Sequence, residues 1–156
     1  MSVVNGFANI LKQELEKLDS DVEIDITAVE DKTAEFTQRM EDLQGADVVL
    51  TESVAEGILD QSGLRDVTPD GYADSVAREA EPSAADVAAA QALIRDGKAD
   101  ILLSNEQSHT SAANTLIEAA KDKGVPVVNI NETPNSDQDY FDYVDGVLTD
   151  LEKSHK

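Results

Sequence analysis

Polar residues that could bind a ligand follow three apolar runs in this sequence. They are Glu52, Asn105 and Asn131, with Gln107, His109 and Glu132 close behind them. Divalent cations accept carboxylate and amide oxygens as ligands in proteins, and imidazole nitrogen suits zinc. The chain therefore has donors for a cation at three separate places, provided that the fold brings these places together.

The apolar runs before these residues predict buried strands. They read "ADVVLT", "ADILLS" and "VPVVNIN". Each run is followed by a polar turn and a helical pattern, and continuous apolar runs are typical of strands covered on both faces. The carboxyl ends of parallel strands meet at one edge of a sheet, where ligands bind in folds of this kind. We therefore expect Glu52, Asn105 and Asn131 to converge at that edge.

Helical spacing accounts for much of the remaining chain. The first helix has an apolar stripe formed by Val4, Phe7, Leu11, Leu15 and Leu18. Further helices are predicted at about 36–43, at 83–96 with Ser83 as its cap, at 109–123 with Gly124 as its stop, and after a cap at Asn135 or Ser136. A short strand is predicted within "LRDVTPDGY", and the alternation in "DVEIDIT" predicts another strand. These elements predict an α/β fold, with a parallel sheet of about four strands, helices on both faces and a long amphipathic helix before it.

Charge and composition exclude several classes of partner. Asp and Glu number 33 against 12 Lys and Arg, which gives a net charge of −21. Such a charge repels nucleic acid and anionic membrane surfaces. The chain has no cysteine, so thiolate metal sites and disulfides are excluded. From this sequence we expect no export leader and no membrane-spanning segment.

No catalytic motif is present. The sequence lacks a phosphate-binding glycine loop, a G-x-S-x-G elbow and an H-E-x-x-H helix, so we expect no enzyme activity. Asp137, Asp139 and Asp142 lack the spacing of a calcium loop and instead suit the first turn of a helix. With His109 as its one histidine near the predicted edge, the chain alone would hold a metal weakly.

The order of these motifs resembles the C-terminal lobe of the zinc/manganese-type solute-binding proteins of bacterial ABC importers. The matching blocks are "ESVAEGILDQSGLRDVTP", "EAEPSAADVAAAQALI", "ADILLSNEQSHTSAANTLIEAAKDKGVPVV" and "NETP". The resemblance divides the chain into a helical segment, residues 1–44, similar to the helix that links the two lobes of the family, and an α/β lobe, residues 45–156. It implies a non-catalytic metal-binding protein with zinc or manganese as the transported ligand and no certain cofactor.

The resemblance also implies roles for the residues at the sheet edge. In this family the C-terminal lobe commonly supplies a His, a Glu and an Asp after three strands. Glu52 stands at the His position, Asn105 at the Glu position and Asn131 nearest the Asp position, and Gln107 matches a Gln of the family. Replacing a carboxylate by a neutral amide lowers the affinity for a divalent cation. We therefore expect a divergent site, surrounded by Gln107, His109 and Glu132 in an interlobe pocket.

The remaining expectations concern partners and location. The resemblance implies an N-terminal lobe that this chain lacks, an ABC permease, and a place in the extracellular space or cell envelope. If a lobe is missing, the face that it covers should be the main exposed apolar patch. The alternative is a stand-alone acidic α/β module that binds a protein partner and no metal.

Overall fold

The computed structural model describes residues 1–19, 21–108 and 110–155. In this part of the chain the strands are β1 (Asp47–Leu50), β2 (Arg65–Asp66), β3 (Ile101–Ser104) and β4 (Val127–Asn129). The helices are α1 (Ser2–Leu18), α2 (Thr27–Asp42), α3 (Glu56–Leu59), α4 (Asp70–Ala77), α5 (Ala84–Arg95), α6 (Ser111–Lys123) and α7 (Tyr140–Ser154), with a 3-10 turn at Ser53–Ala55. The predicted α/β class is confirmed.

The four strands form one sheet in which every pair is parallel. Their order is β2-β1-β3-β4, and Leu50 pairs with Leu103 while Leu103 pairs with Val128. Parallel neighbours need crossover connections, which the helices supply. Because β1, β3 and β4 are adjacent and point the same way, the segments that follow them lie along a single edge.

Alternate residues of the strands face two separate cores. One core packs β-strand residues such as Val48 and Leu103 against α2 and α7 through Phe36 and Leu148. The other core packs strand residues against α4, α5 and α6 and is formed by Val49, Tyr72, Ala90, Ile94, Ala99, Leu102, Ala112, Leu116, Ala119 and Ala120. The predicted cover of helices on both faces is therefore confirmed, and it holds the sheet rigidly beneath the polar edge.

Arg39 joins α2 to α7 by ion pairs. Its guanidinium lies 2.7 Å from Asp145 and 2.6 Å from Glu152, and its side chain is 19% exposed. The hydrogen bond to Glu152, partly opposed by burial, raises the pKa of Arg39 above its usual value. Planar guanidinium groups bind carboxylates with well-defined geometry, so this contact fixes α7 against α2.

Several large apolar side chains of α1 are exposed. No residue of α1 is buried, and Val3, Phe7, Ile10 and Leu18 are 62–83% exposed. The helix meets α2 where the buried Thr33 hydroxyl donates to Asn5 Oδ1 at 2.7 Å. The predicted helix is confirmed, but the exposed stripe includes Val3 and Ile10 beside the predicted Phe7 and Leu18, whereas the predicted Val4 is half-buried.

The strand predicted from "DVEIDIT" is wrong. Residues 21–26 form a connection without strand, and α2 begins at Thr27. The Ile24 N–H donates to Glu16 of α1 at 3.1 Å, and the Thr27 N–H donates to Asp25 at 2.8 Å. In a strand these N–H groups would donate to a neighbouring strand, but here they donate to side chains. An Asp side chain that accepts the N–H two residues later also favours a turn. The hydrogen bonds from Thr27 also lower the pKa of Asp25.

Two predicted helix starts have different outcomes. Ser83 caps α5 as expected, because its hydroxyl accepts the Asp86 N–H at 3.2 Å. The cap of α7 is Asp139, which accepts the Asp142 N–H at 2.8 Å, and the predicted cap at Asn135 or Ser136 is wrong. Asp139 is the cap because it directly precedes α7, whose apolar residues recur at helical spacing from Phe141 onward. Asp139 and Asp142 thus serve the start of the helix, as predicted, whereas Asp137 lies before it.

Candidate functional site

The three predicted loops meet at the carboxyl edge of the sheet. Glu52 begins the turn after β1, Asn105 follows β3, and Asn131 lies two residues beyond β4. Hydrogen bonds connect the first loop to the second and the second to the third. The structure therefore brings Glu52, Asn105 and Asn131 into neighbouring segments, as the parallel topology requires.

Asn105 lies at the centre of this edge and is 1% exposed. Its side-chain Nδ2 donates to Glu52 Oε2 at 3.1 Å, and its Oδ1 accepts the backbone N–H of Gln107 at 2.8 Å. An amide can do both, whereas an ionised carboxylate can only accept. Asn105 is therefore matched to a carboxylate on one side and to a backbone donor on the other.

Asn131 connects the third loop to the second loop and to α7. Its Oδ1 accepts the Glu106 N–H at 3.0 Å. Its own backbone N–H donates to the Tyr143 hydroxyl at 2.7 Å, and that hydroxyl donates to the Asn131 carbonyl at 2.8 Å. Burial raises the pKa of Tyr143, so the hydroxyl keeps the proton that it donates.

The residues predicted to surround the site have different positions. Gln107 is exposed, and its Nε2 donates to the carbonyl and the hydroxyl of Thr133 at 3.2 and 3.1 Å. Glu132 is exposed on the same loop as Asn131. His109 lies outside the described residues. Gln107 thus closes the gap between the second and third loops, and Glu132 adds a carboxylate at the rim.

Tyr72 lies beneath the first loop. It is fully buried, and its hydroxyl donates to the Thr51 carbonyl at 3.4 Å. Burial, together with the negative charge of Glu52, raises the pKa of Tyr72 to about 12. Within the described residues, the buried hydroxyls of Thr51 and Ser104 meet no hydrogen-bond partner, which costs stability unless solvent or a ligand reaches them. The polar groups of this edge thus extend below its surface.

The ligand chemistry of the edge is that of oxygen donors. Glu52 contributes a carboxylate, Asn105 and Asn131 contribute amide oxygens, and Glu106 adds a carboxylate that accepts Asn129 Nδ2 at 2.7 Å. In the described ranges, no three His, Cys, Asp or Glu side chains are grouped so that they could hold a metal ion. Oxygen donors of this kind suit hard cations or polar solutes.

Tyr143 has a positioning role that the sequence did not reveal. Its neighbours Phe141 and Val144 mark the inward stripe of α7, and Tyr143 lies at the border of that stripe. The N-terminus of α7 follows the loop after β4. Helical side chains lean toward the N-terminus of their helix, so the Tyr143 side chain leans toward that loop. A tyrosine at the border of an apolar stripe in a first helical turn is thus the signal that could have identified this contact.

Solved structures with a similar fold come from streptococci. The laminin-binding protein of Streptococcus agalactiae, described as an adhesin with metal-transporting activity, aligns with a TM-score of 0.58 and 18% identity over 92% of this chain and 56% of its own. A Zn(II)-bound variant of AdcAII from Streptococcus pneumoniae aligns with a TM-score of 0.58 and 17% identity over 94% and 57%. The laminin-binding protein of Streptococcus pyogenes gives 0.57 and 16% over 83% and 48%.

The chain spans about half the length of the solved structures that it matches. No curated protein sequence matches it. In the described part of the chain, no helix is both long and apolar enough to cross a membrane. A family model for the periplasmic zinc-uptake complex component A (ZnuA) matches residues 5–154, and the chain therefore belongs to that family.

Proposed function

We propose that this chain is a non-catalytic solute-binding unit of an ABC system that imports zinc or manganese. The observation that carries the proposal is the convergence of three strand-tip loops in a chain of the zinc-uptake family. Ligands of parallel α/β folds bind at this edge of the sheet. The Zn(II)-bound state of one structural neighbour supports a divalent metal as cargo.

Glu52, Asn105 and Asn131 are the proposed cargo-facing residues, and Gln107, His109 and Glu132 are proposed to line the pocket around them. Glu52 is the strongest candidate ligand because it is the one carboxylate among these three residues. The amides of Asn105 and Asn131 already accept backbone N–H groups, so each offers a cation only its second lone pair. This donor set is too poor to hold a divalent cation tightly by itself.

The remaining ligands are proposed to come from a second lobe that faces this edge. Half of each matched structure lies outside the alignment, which is consistent with two lobes around one cargo site. We retain residues 1–44 as a proposed linking segment and residues 45–156 as the proposed lobe. The exposed stripe of α1 supports this division, because a linking helix needs a surface on which another unit can pack.

The proposed partners follow from this role. A permease receives the loaded protein, and the protein works in the extracellular space or cell envelope. The net charge of −21 opposes any contact with nucleic acid.

A second candidate function is a protein-interaction module that binds no metal. The observation that favours it is the stripe of Val3, Phe7, Ile10 and Leu18 on a helix with no buried residue. Exposed apolar surfaces of this kind mark sites where proteins dock. The two functions differ in their prediction for metal-starved cells, since only the import protein affects the metal content of the cell.

Titration calorimetry with Zn²⁺ and Mn²⁺ tests the claim that the chain carries half a site. We expect dissociation constants weaker than about 100 µM for the chain alone, as in weak sites with few anionic ligands. The measurement is made at 0.15 M salt to screen the acidic surface. Micromolar binding at one site per chain, lost in Glu52→Ala and kept in a variant of the exposed Glu118, would contradict the half-site claim.

A further inference from the structure

We infer that Asn105 is the specificity-determining residue of this edge, and that its neutral amide keeps the lobe stable without a cation while lowering its affinity for one. The inference rests on the proposed cargo function. Asn105 is almost fully buried between the first two loops, and both ends of its amide are hydrogen-bonded. The side chain of residue 105 therefore controls which atom or ion can lie next to the Glu52 carboxylate.

A cation bound at this edge would neutralise the Glu52 carboxylate. Asn105 Nδ2 supplies a hydrogen-bond donor to that carboxylate at 3.1 Å without adding charge. Hydrogen bonds to ionised groups are stronger than those between neutral groups. The amide therefore already satisfies one hydrogen-bonding site of the Glu52 carboxylate and leaves less for a cation to gain.

Two hydrogen bonds fix the orientation of the Asn105 amide. Its Oδ1 accepts the Gln107 N–H at 2.8 Å, and this contact requires an oxygen on the side opposite Glu52. The amide nitrogen is consequently turned toward Glu52. An N–H group cannot ligate a cation, so the same hydrogen bond that orders the second loop turns the nitrogen of the amide, and not its oxygen, toward Glu52.

Asn105→Asp is nearly isosteric and keeps the acceptor for the Gln107 N–H. It places a second carboxylate about 3 Å from Glu52, where two negative charges repel unless a cation lies between them. The substitution is thus expected to exchange an internally satisfied pair for one that needs a cation.

The test compares melting temperatures at 0.15 M NaCl with and without MnCl₂. At pH 7 without metal, Asn105→Asp is expected to melt about 3–8 °C below the wild type, which corresponds to a like-charge penalty in a domain of this size. Millimolar MnCl₂ should restore most of the loss. By calorimetry the variant should bind Mn²⁺ at least about tenfold more tightly than the wild type, a difference of about 1.4 kcal/mol.

Two controls separate this effect from a general response to added charge. Asn114→Asp adds the same charge at an exposed position of α6, and its melting temperature should respond to MnCl₂ as that of the wild type does. The double substitution of Glu52→Gln with Asn105→Asp exchanges amide and carboxylate. It should melt near the wild type and gain no Mn²⁺ affinity, and it keeps the test decisive if the single variant folds poorly.

The outcomes distinguish this inference from the proposed function. An Asn105→Asp protein that gains no Mn²⁺ affinity over the wild type would overturn the role of Asn105, as would a double variant that binds Mn²⁺ as the single variant does. Neither result bears on whether the protein serves metal import. Failure of the import function would instead appear as unchanged metal content in cells that lack the gene.

Discussion

Replacing Phe36 by alanine is expected to lower the free energy of unfolding by about 3–5 kcal/mol, the usual cost of emptying a large aromatic site in a core. Phe36 is fully buried in α2, and its ring lies 6.2 Å from that of Phe141 in α7. The substitution opens a cavity between two helices that cover the same face of the sheet. Urea denaturation followed by circular dichroism measures the loss.

Phe7→Ala is the matched control for this substitution. Phe7 is 66% exposed on α1, so its removal should change the free energy of unfolding by no more than about 0.5 kcal/mol. A loss as large as that of Phe36→Ala would show that the stripe of α1 is buried in solution, for example by a second copy of the chain. A negligible loss for Phe36→Ala would contradict the packing of α2 on the sheet.

Tyr143→Phe is expected to lower the free energy of unfolding by about 1–3 kcal/mol and to release the third loop, because a half-buried donor and acceptor both lose their partner. The hydroxyl serves the N–H and the carbonyl of Asn131 at once. Amide hydrogen exchange at Asn131 should therefore accelerate much more than exchange in the centre of β3. The same denaturation measurement gives the stability change.

Tyr140→Phe provides the comparison within the same helix. Tyr140 is 43% exposed, and its substitution should leave the exchange rate of the Asn131 amide unchanged. If both variants had the same effect, the third loop would depend on the general packing of α7 rather than on the Tyr143 hydroxyl. If neither had an effect, the proposed positioning role of Tyr143 would be wrong.

The parallel sheet could be predicted from sequence because its strands carry a strong local signal. The runs at Val48, Leu102 and Val128 are apolar on both faces. Ser83 marked the start of α5 and Gly124 the end of α6 through well-understood capping chemistry. Where the local signal and the tertiary packing agree, reasoning from sequence finds the element.

The segment from Val22 to Ile26 shows the opposite case. Its alternation is correct for a strand, but a strand also needs a partner edge, and sequence does not reveal whether one is available. Glu16 and Asp25 instead accept backbone N–H groups and guide the chain into α2. The two acidic acceptors can be read from the sequence, but whether Glu16 accepts the Ile24 N–H depends on where α1 lies.

At the candidate site, the sequence predicts less than the structure shows. The topology was enough to place Glu52, Asn105 and Asn131 at one edge. It did not predict that Asn105 bonds Glu52, or that Tyr143 holds Asn131. Such pairings depend on rotamers and on distances of about 3 Å between segments far apart in sequence, and periodicity carries no information at that scale.

The central claim, that this chain presents cargo to a metal importer through Glu52, is tested most directly by the metal content of cells. The gene that encodes the chain is deleted, and zinc and manganese are measured by mass spectrometry in metal-limited medium. The wild-type allele and an exposed-site control, Glu118→Ala, should restore the content of the imported metal, whereas Glu52→Ala should not. Unchanged metal content in the deletion strain, or full restoration by Glu52→Ala at equal protein level, would contradict the claim.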